Sequence, residues 1–216
     1  MCLKRYGAAA ILMAAIQADP SALIDRAVES YKGVESYSVT LRSSEAGRGE
    51  ASEVIRYYYK RPGHVRMEFV KPHKGAVLVY DSKRKEARLR PFPSIKSFIL
   101  TLSPDNWLIK SSKGHSVDRS DMGALLDNAV RLRDGGAVEA LGDEGVGGRT
   151  AVKVVVRGAP GSSVDGVNSY ALWLESVSLL PLRVSSFDPG GRLIEDVIMD
   201  DLDVNVELPD GFFGLD

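Results

Sequence analysis

Apolar residues recur every three or four positions in two stretches of this chain and every second position in most of the rest. The first helical stretch opens at Asp19, which is placed to cap a helix starting at Pro20, a favoured first position for proline. Leu23, Ala27 and Tyr31 then share one face with Ile24 and Val28, and Gly33 ends the helix. From residue 34 the period becomes two. Tyr37, Val39 and Leu41 alternate with Ser38, Thr40 and Arg42, which predicts a half-buried strand. A glycine-bearing turn is expected at residues 46–49, and further strands at 54–59, 65–69, 76–80 and 87–90, separated by Pro62-Gly63, Pro72 to Gly75 and the prolines Pro91 and Pro93. Residues 94–113 have no clear period. Ser120 is then expected to cap a second helix carrying Met122, Leu125, Leu126, Ala129 and Arg133, with Gly135 just past its end. Strands resume at 150–157, 169–175, 182–187 and 192–206, with a hairpin turn at Asp188 to Gly191. Short strands at hairpin spacing predict an antiparallel sheet with helical insertions, in one domain.

Composition narrows this picture. The chain has 216 residues and a net charge of -1, is 44% hydrophobic and 26% charged. These values exclude wholesale disorder and a multi-span membrane protein, and the lack of a basic excess argues against general nucleic-acid binding. Residues 1–18 (MCLKRYGAAAILMAAIQA) combine a positive start at Lys4 and Arg5, a ten-residue apolar run and a closing Ala18. That layout predicts a cleavable secretory signal peptide, leaving residues 19–216 as the working domain. The only cysteine, Cys2, would be lost with it, so the exported protein must be held by its core rather than by disulfides.

No catalytic constellation stands out. His64, His73 and His115 lack metal-ligand spacing, no serine sits in a nucleophile elbow, and no cofactor or metal is expected. The glycine-rich run 142–148 (GDEGVGG) precedes a strand rather than a helix, so it is taken as a loose hairpin turn, not a phosphate loop. Asp196, Asp200, Asp201, Asp203 and Glu207 form either a cation site or, on strand alternation, a solvated sheet face, the favoured reading. Lys83, Arg84, Lys85, Arg88 and Arg90 form either a solvated hairpin or a docking surface for an acidic partner or anionic headgroups. The balance favours a binding protein over an enzyme.

The stretch from Ile55 to Phe69 (IRYYYKRPGHVRMEF) runs an aromatic strand into a Lys60-Arg61-Pro62 corner and then into a second apolar strand. Lys71-Pro72 leads to Leu78-Val79-Tyr80-Asp81, Val34-Glu35-Ser36-Tyr37 links the first helix to the first strand, and Pro181 to Val184, Asp188 to Gly191 and Leu208 to Phe213 close the chain. In this order the motifs resemble the LolA-type periplasmic carriers that sort outer-membrane lipoproteins. The resemblance implies an α+β fold: a strongly curved antiparallel sheet, an incomplete β-barrel, covered on its concave face by helices, with an apolar cavity between. It implies that Tyr37, Val39, Leu41, Tyr58, Val65, Met67, Phe69, Leu172 and Leu174 line that cavity, and that Arg61 hydrogen-bonds helix backbone and latches the lid. Acylated lipoproteins or lipids are the implied cargo, with an inner-membrane exporter and an outer-membrane receptor as partners. One position departs from the family pattern: Val65 stands where the family carries a bulky aromatic. An alternative on the same fold is an envelope regulator that senses lipid or lipoprotein without transporting it. A third is an enzyme using the carboxylates near Asp200.

Overall fold

The computed structural model describes residues 19–45, 51–110 and 116–215. The expected signal peptide, the turn at 46–49 and His115 lie outside the described residues. The first helix is where the sequence placed it: α1 (Pro20–Lys32) starts with the Asp19 carboxylate accepting from Ser21 N–H at 2.9 Å, and the Gly33 N–H donates to the Ser30 carbonyl. Then come β1 (Ser36–Ser44), β2 (Glu53–Lys60), β3 (His64–Lys71), β4 (Val77–Asp81), β5 (Glu86–Arg90) and β6 (Leu100–Leu102). A single 3₁₀ turn (Val117–Arg119) precedes α2 (Met122–Arg133), and β7 (Ala137–Val146), β8 (Arg149–Arg157), β9 (Ser169–Glu175), β10 (Pro181–Phe187) and β11 (Leu193–Val204) complete the chain.

Among the described residues, eleven strands form one antiparallel sheet in the order β6-β5-β4-β3-β2-β1-β11-β10-β9-β8-β7. Two meanders therefore run outward from β1 and β11, which pair at the centre. The segment from β6 to β7 joins the two edges and carries α2. The sheet is open and curved. Met67 on β3 and Val184 on β10 line the same hollow, although four strand spacings, about 19 Å in a flat sheet, separate them. This is the α+β half-barrel expected.

Three expectations need correction. The glycine-rich run 142–148 is not a loose loop: most of it belongs to β7, an exposed edge strand. β7 pairs with β8 throughout, with an irregularity between Ala140 and Gly142. Because both of its faces meet solvent, it carries no apolar alternation to detect. Only Gly147-Gly148, at φ 56° and 78°, forms the turn, a two-residue loop in the left-handed region that suits a tight hairpin. Second, β6 is a three-residue strand inside the stretch without period. Third, α2 is capped by Asp121, not Ser120. The Asp121 carboxylate accepts from Gly123 and Ala124 N–H at 2.7 and 3.3 Å, while the Ser120 hydroxyl donates to the Val117 carbonyl.

The helices fill one side of the concave face. Ile24 and Ala27 of α1 and Leu126, Ala129 and Leu132 of α2 pack with Val154, Val156, Leu172 and Leu174 of β8 and β9. α2 approaches α1 closely at Gly123. A Cβ there would sit 2.6 Å from the Tyr31 ring and 2.7 Å from an Asp121 oxygen. Gly123→Ala would gain up to about 1 kcal/mol in helix propensity, against about 1–3 kcal/mol of overpacking. The expected net is a loss of about 1–2 kcal/mol, read as a lower urea midpoint at unchanged slope.

Candidate functional site

The other side of the concave face is hollow. A cavity of about 680 Å³ lies between β1–β5, β10–β11 and the chain leading into α2. Of the nine residues expected to line a cavity, Tyr37, Val39, Leu41, Met67 and Phe69 do so. Val65 faces the same side but is buried in the core with Tyr59 and Tyr80. Leu172 and Leu174 are fully buried beneath the helices. Tyr58 lies on the convex face, edge-on to Phe212 at 4.9 Å, because alternation turns it away from Tyr57 and Tyr59. Residues not expected on the wall complete it: Ile55, Leu78, Leu89, Val184, Val197 and Met199. Val197 and Met199 alternate with Asp196, Ile198 and Asp200, so the period was visible; alternation does not distinguish a filled face from a hollow one.

A stack of tyrosines ties this wall to the helices. Tyr37 lies between Tyr57 and Tyr59, with ring centroids at 5.8 and 5.1 Å, and Tyr31 of α1 meets Tyr59 at 6.3 Å. Their hydroxyls converge on the start of α2. The Tyr37 oxygen accepts from Met122 N–H at 3.2 Å, Tyr57 shares a hydrogen bond with Ser120 at 3.0 Å, and Tyr31 donates to Asp121 at 2.9 Å. Burial pushes all four phenols above their usual range, and the Asp121 charge adds to this. The stack is neutral, and through Tyr37 it satisfies one helix donor, Met122 N–H, that would otherwise face the apolar hollow.

Arg61 holds the other helix. Its Nε and Nη2 donate to the Val34 carbonyl at 3.1 and 2.9 Å, and Nη2 also reaches the Tyr31 and Lys32 carbonyls at 3.2 Å. These are the terminal acceptors of α1 and the turn after it. A planar cation suits the negative end of a helix dipole and spans several carbonyls at once.

The hollow is less apolar toward its rim. Ser43 donates a short hydrogen bond to Glu195, and Glu45, Glu53 and Lys110 stand nearby on the lining. His73 lines the cavity beside Phe69, while His64 sits 3.7 Å from Asp81 on the far side of the corner. The carboxylates of β11 are engaged separately: Asp196 with Arg183 and Ser185, Asp200 with Arg42. Among the described residues, no group of three or more His, Cys, Asp or Glu is placed to hold a metal. The basic hairpin frames a second hollow of about 440 Å³, facing Lys60, Lys83, Arg84, Asp81 and Asp210.

An open sheet with helices over part of its concave face and an apolar hollow under the rest defines a class of open half-barrels. No protein-family model matches the chain, and no curated protein matches it in sequence. Solved structures match its fold. The Mycobacterium tuberculosis lipoprotein LppX aligns with a TM-score of 0.55 at 14% identity, over 89% of this chain and 99% of LppX. An uncharacterized conserved protein of Thermus thermophilus aligns at 0.52 and 15%, over 88% and 90%. A LolA superfamily protein of Nitrosomonas europaea aligns at 0.42 and 13%, over 91% and 97%.

Two measurements probe the site's framework. Tyrosines held above their ordinary value near 10 stay neutral in the native state while unfolded ones ionise. The native state then binds more protons, so the tyrosines' contribution to stability is constant below about pH 10 and is lost as pH rises above it. Urea midpoints between about pH 8 and 11 should show this, with a shallower fall in Tyr57→Phe; an unchanged slope would remove the stack as its source. Arg61→Ala should cost about 1–2 kcal/mol, and Arg61→Lys should recover less than half, since an ammonium cannot span the same carbonyls.

Proposed function

We propose that this protein is a non-enzymatic carrier. In this reading it shields acyl chains of lipids or lipoproteins in its cavity and moves them across an aqueous compartment, the periplasm, between membranes. The observation that carries this reading is the unfilled apolar hollow. At about 680 Å³ it falls within the range of about 300–1,000 Å³ that encloses a drug-sized ligand. Most of its wall is aliphatic and aromatic. Each methylene taken from water contributes about 0.8 kcal/mol, so an acyl chain has a strong reason to enter such a space. Reversible release requires partial rather than complete enclosure, and the exposed wall residues Phe92 and Leu108 are consistent with that.

The sequence resemblance to lipoprotein carriers and the fold shared with LppX support the same reading. Asp196 and Asp200, the carboxylates nearest an enzyme hypothesis, are bonded to arginines on neighbouring strands and turned away from the hollow, which favours binding over catalysis.

Native mass spectrometry of the protein purified from the periplasm tests this. Acylated species should co-purify or load when offered, and Leu41→Trp, which narrows the hollow, should reduce the loaded fraction severalfold while leaving the fold intact. A protein that emerges empty and refuses acyl ligands is not a carrier. If ligand binds but never passes to acceptor vesicles or an acceptor protein, transport fails and the sensing alternative stands.

A further inference from the structure

Among the described residues, eight large apolar side chains are exposed, and five of them fall in one short stretch: Phe92, Ile95, Phe98, Trp107 and Leu108. This stretch brackets β6, the edge strand beside the cavity. Scattered exposed apolar residues need no explanation, but a concentration of this kind marks a contact surface. β6 spans only three residues, about 10 Å, so its two flanks form one lip along the sheet edge. Phe92 on one flank and Leu108 on the other are both exposed and on the cavity wall. Phe92 and Phe98 touch, with ring centroids at 6.0 Å. The apolar surface is therefore continuous from the hollow to the outside.

Three features identify the occupant as a bilayer surface. Trp107 is 79% exposed, and tryptophan is the side chain that favours the boundary between headgroups and acyl chains. Lys96 and Lys110 are exposed within the same segment, placed to reach headgroup phosphates while their stems lie along apolar surface. The segment's one carboxylate, Asp105, is engaged by the Ser103 hydroxyl at 2.6 Å. We propose that the β6 edge is a membrane-docking lip through which an acyl chain passes directly between bilayer and cavity. This rests on the carrier reading for its purpose, not for the docking itself.

The test uses protein-free vesicles of phosphatidylethanolamine with a minor fraction of phosphatidylglycerol. The full protein should sediment with them and show a blue-shifted emission quenched by brominated acyl chains. That signal belongs to Trp107, since Trp173 is already buried. Phe98→Ser combined with Trp107→Ser should lower vesicle binding about tenfold or more, while Trp107→Phe retains most of it. The double variant's unfolding midpoint and its binding of the fluorescent probe N-phenyl-1-naphthylamine in vesicle-free solution should match wild type, because neither residue lines the hollow. No binding to protein-free vesicles would overturn the proposal, including the case where a membrane protein is needed. So would unchanged binding in the double variant, or loss only in Lys83→Gln with Arg84→Gln, which would assign docking to the basic hairpin. Vesicle binding by a protein that takes up no probe would remove the carrier reading and leave the lip.

Discussion

The structure depends on a mismatch of areas. Eleven strands spaced about 4.8 Å apart present a concave face roughly 48 Å across, while two helices of 13 and 12 residues, each about 10 Å wide, can cover less than half of it. The helices lie over β8 and β9, where their apolar faces and Val154, Val156, Leu172 and Leu174 are buried to exclusion of solvent. Toward β1–β5, nothing of comparable size is left among the described residues to pack. Curvature brings the uncovered strands around toward the helices but does not bring the surfaces into contact. The hollow follows from element count and length, and its apolar character from the alternation that makes those strands a sheet at all.

A helix at the border of a hollow has an exposed end problem, and the two helices solve it from the sheet. α2 begins at the cavity wall, where free N–H groups would face apolar space. Asp121 takes two of them, and the tyrosines of β1 and β2 supply hydroxyls that pack as rings and bond as polar groups. Tyrosine is suited to this because its apolar body can line a cavity while its tip meets a backbone donor. α1 ends on Arg61, whose single guanidinium serves three carbonyls. Neither anchor is a large apolar contact. Both are sets of hydrogen bonds, added to the apolar packing that holds the helices over β8 and β9.

Much of this was legible in the sequence, and the failures are physically specific. Alternation located β1, β2 and β3, and the Lys60-Arg61-Pro62 corner led to Arg61 and its helix carbonyls. Alternation assigns residues to two faces but not which face is inward, so Tyr58 was grouped with the wall that its neighbours Tyr57 and Tyr59 face. Nor does it separate a hollow from a packed core: Leu172 and Leu174 have the same pattern as Val39 and Leu41, and only the position of the helices tells them apart. β7 escaped because an edge strand exposed on both faces has no period, and its glycines resemble a turn. The cap at Asp121 was hidden by Ser120 beside it, an equally good capping residue whose hydroxyl serves the preceding turn instead.

The two edges of the sheet are handled in opposite ways, and that asymmetry gives the molecule a direction. β7 is long, and an unprotected long edge invites pairing with another chain. It carries exposed Glu139, Asp143 and Glu144, a ladder irregularity at Leu141 and glycines that disfavour a flat apolar ribbon. β6 is protected by brevity alone, since three residues offer too little ladder to extend, and its flanks can carry apolar side chains without making the edge a template for aggregation. The helices are packed toward the β7 side, and the wall of the hollow runs out to the exposed Phe92 and Leu108 beside β5 and β6. Thus the edge that can bear exposed apolar residues is also the one beside the cavity. A chain that only needed a stable half-barrel would gain by placing charges on both edges; here the charged edge is the one farthest from the hollow.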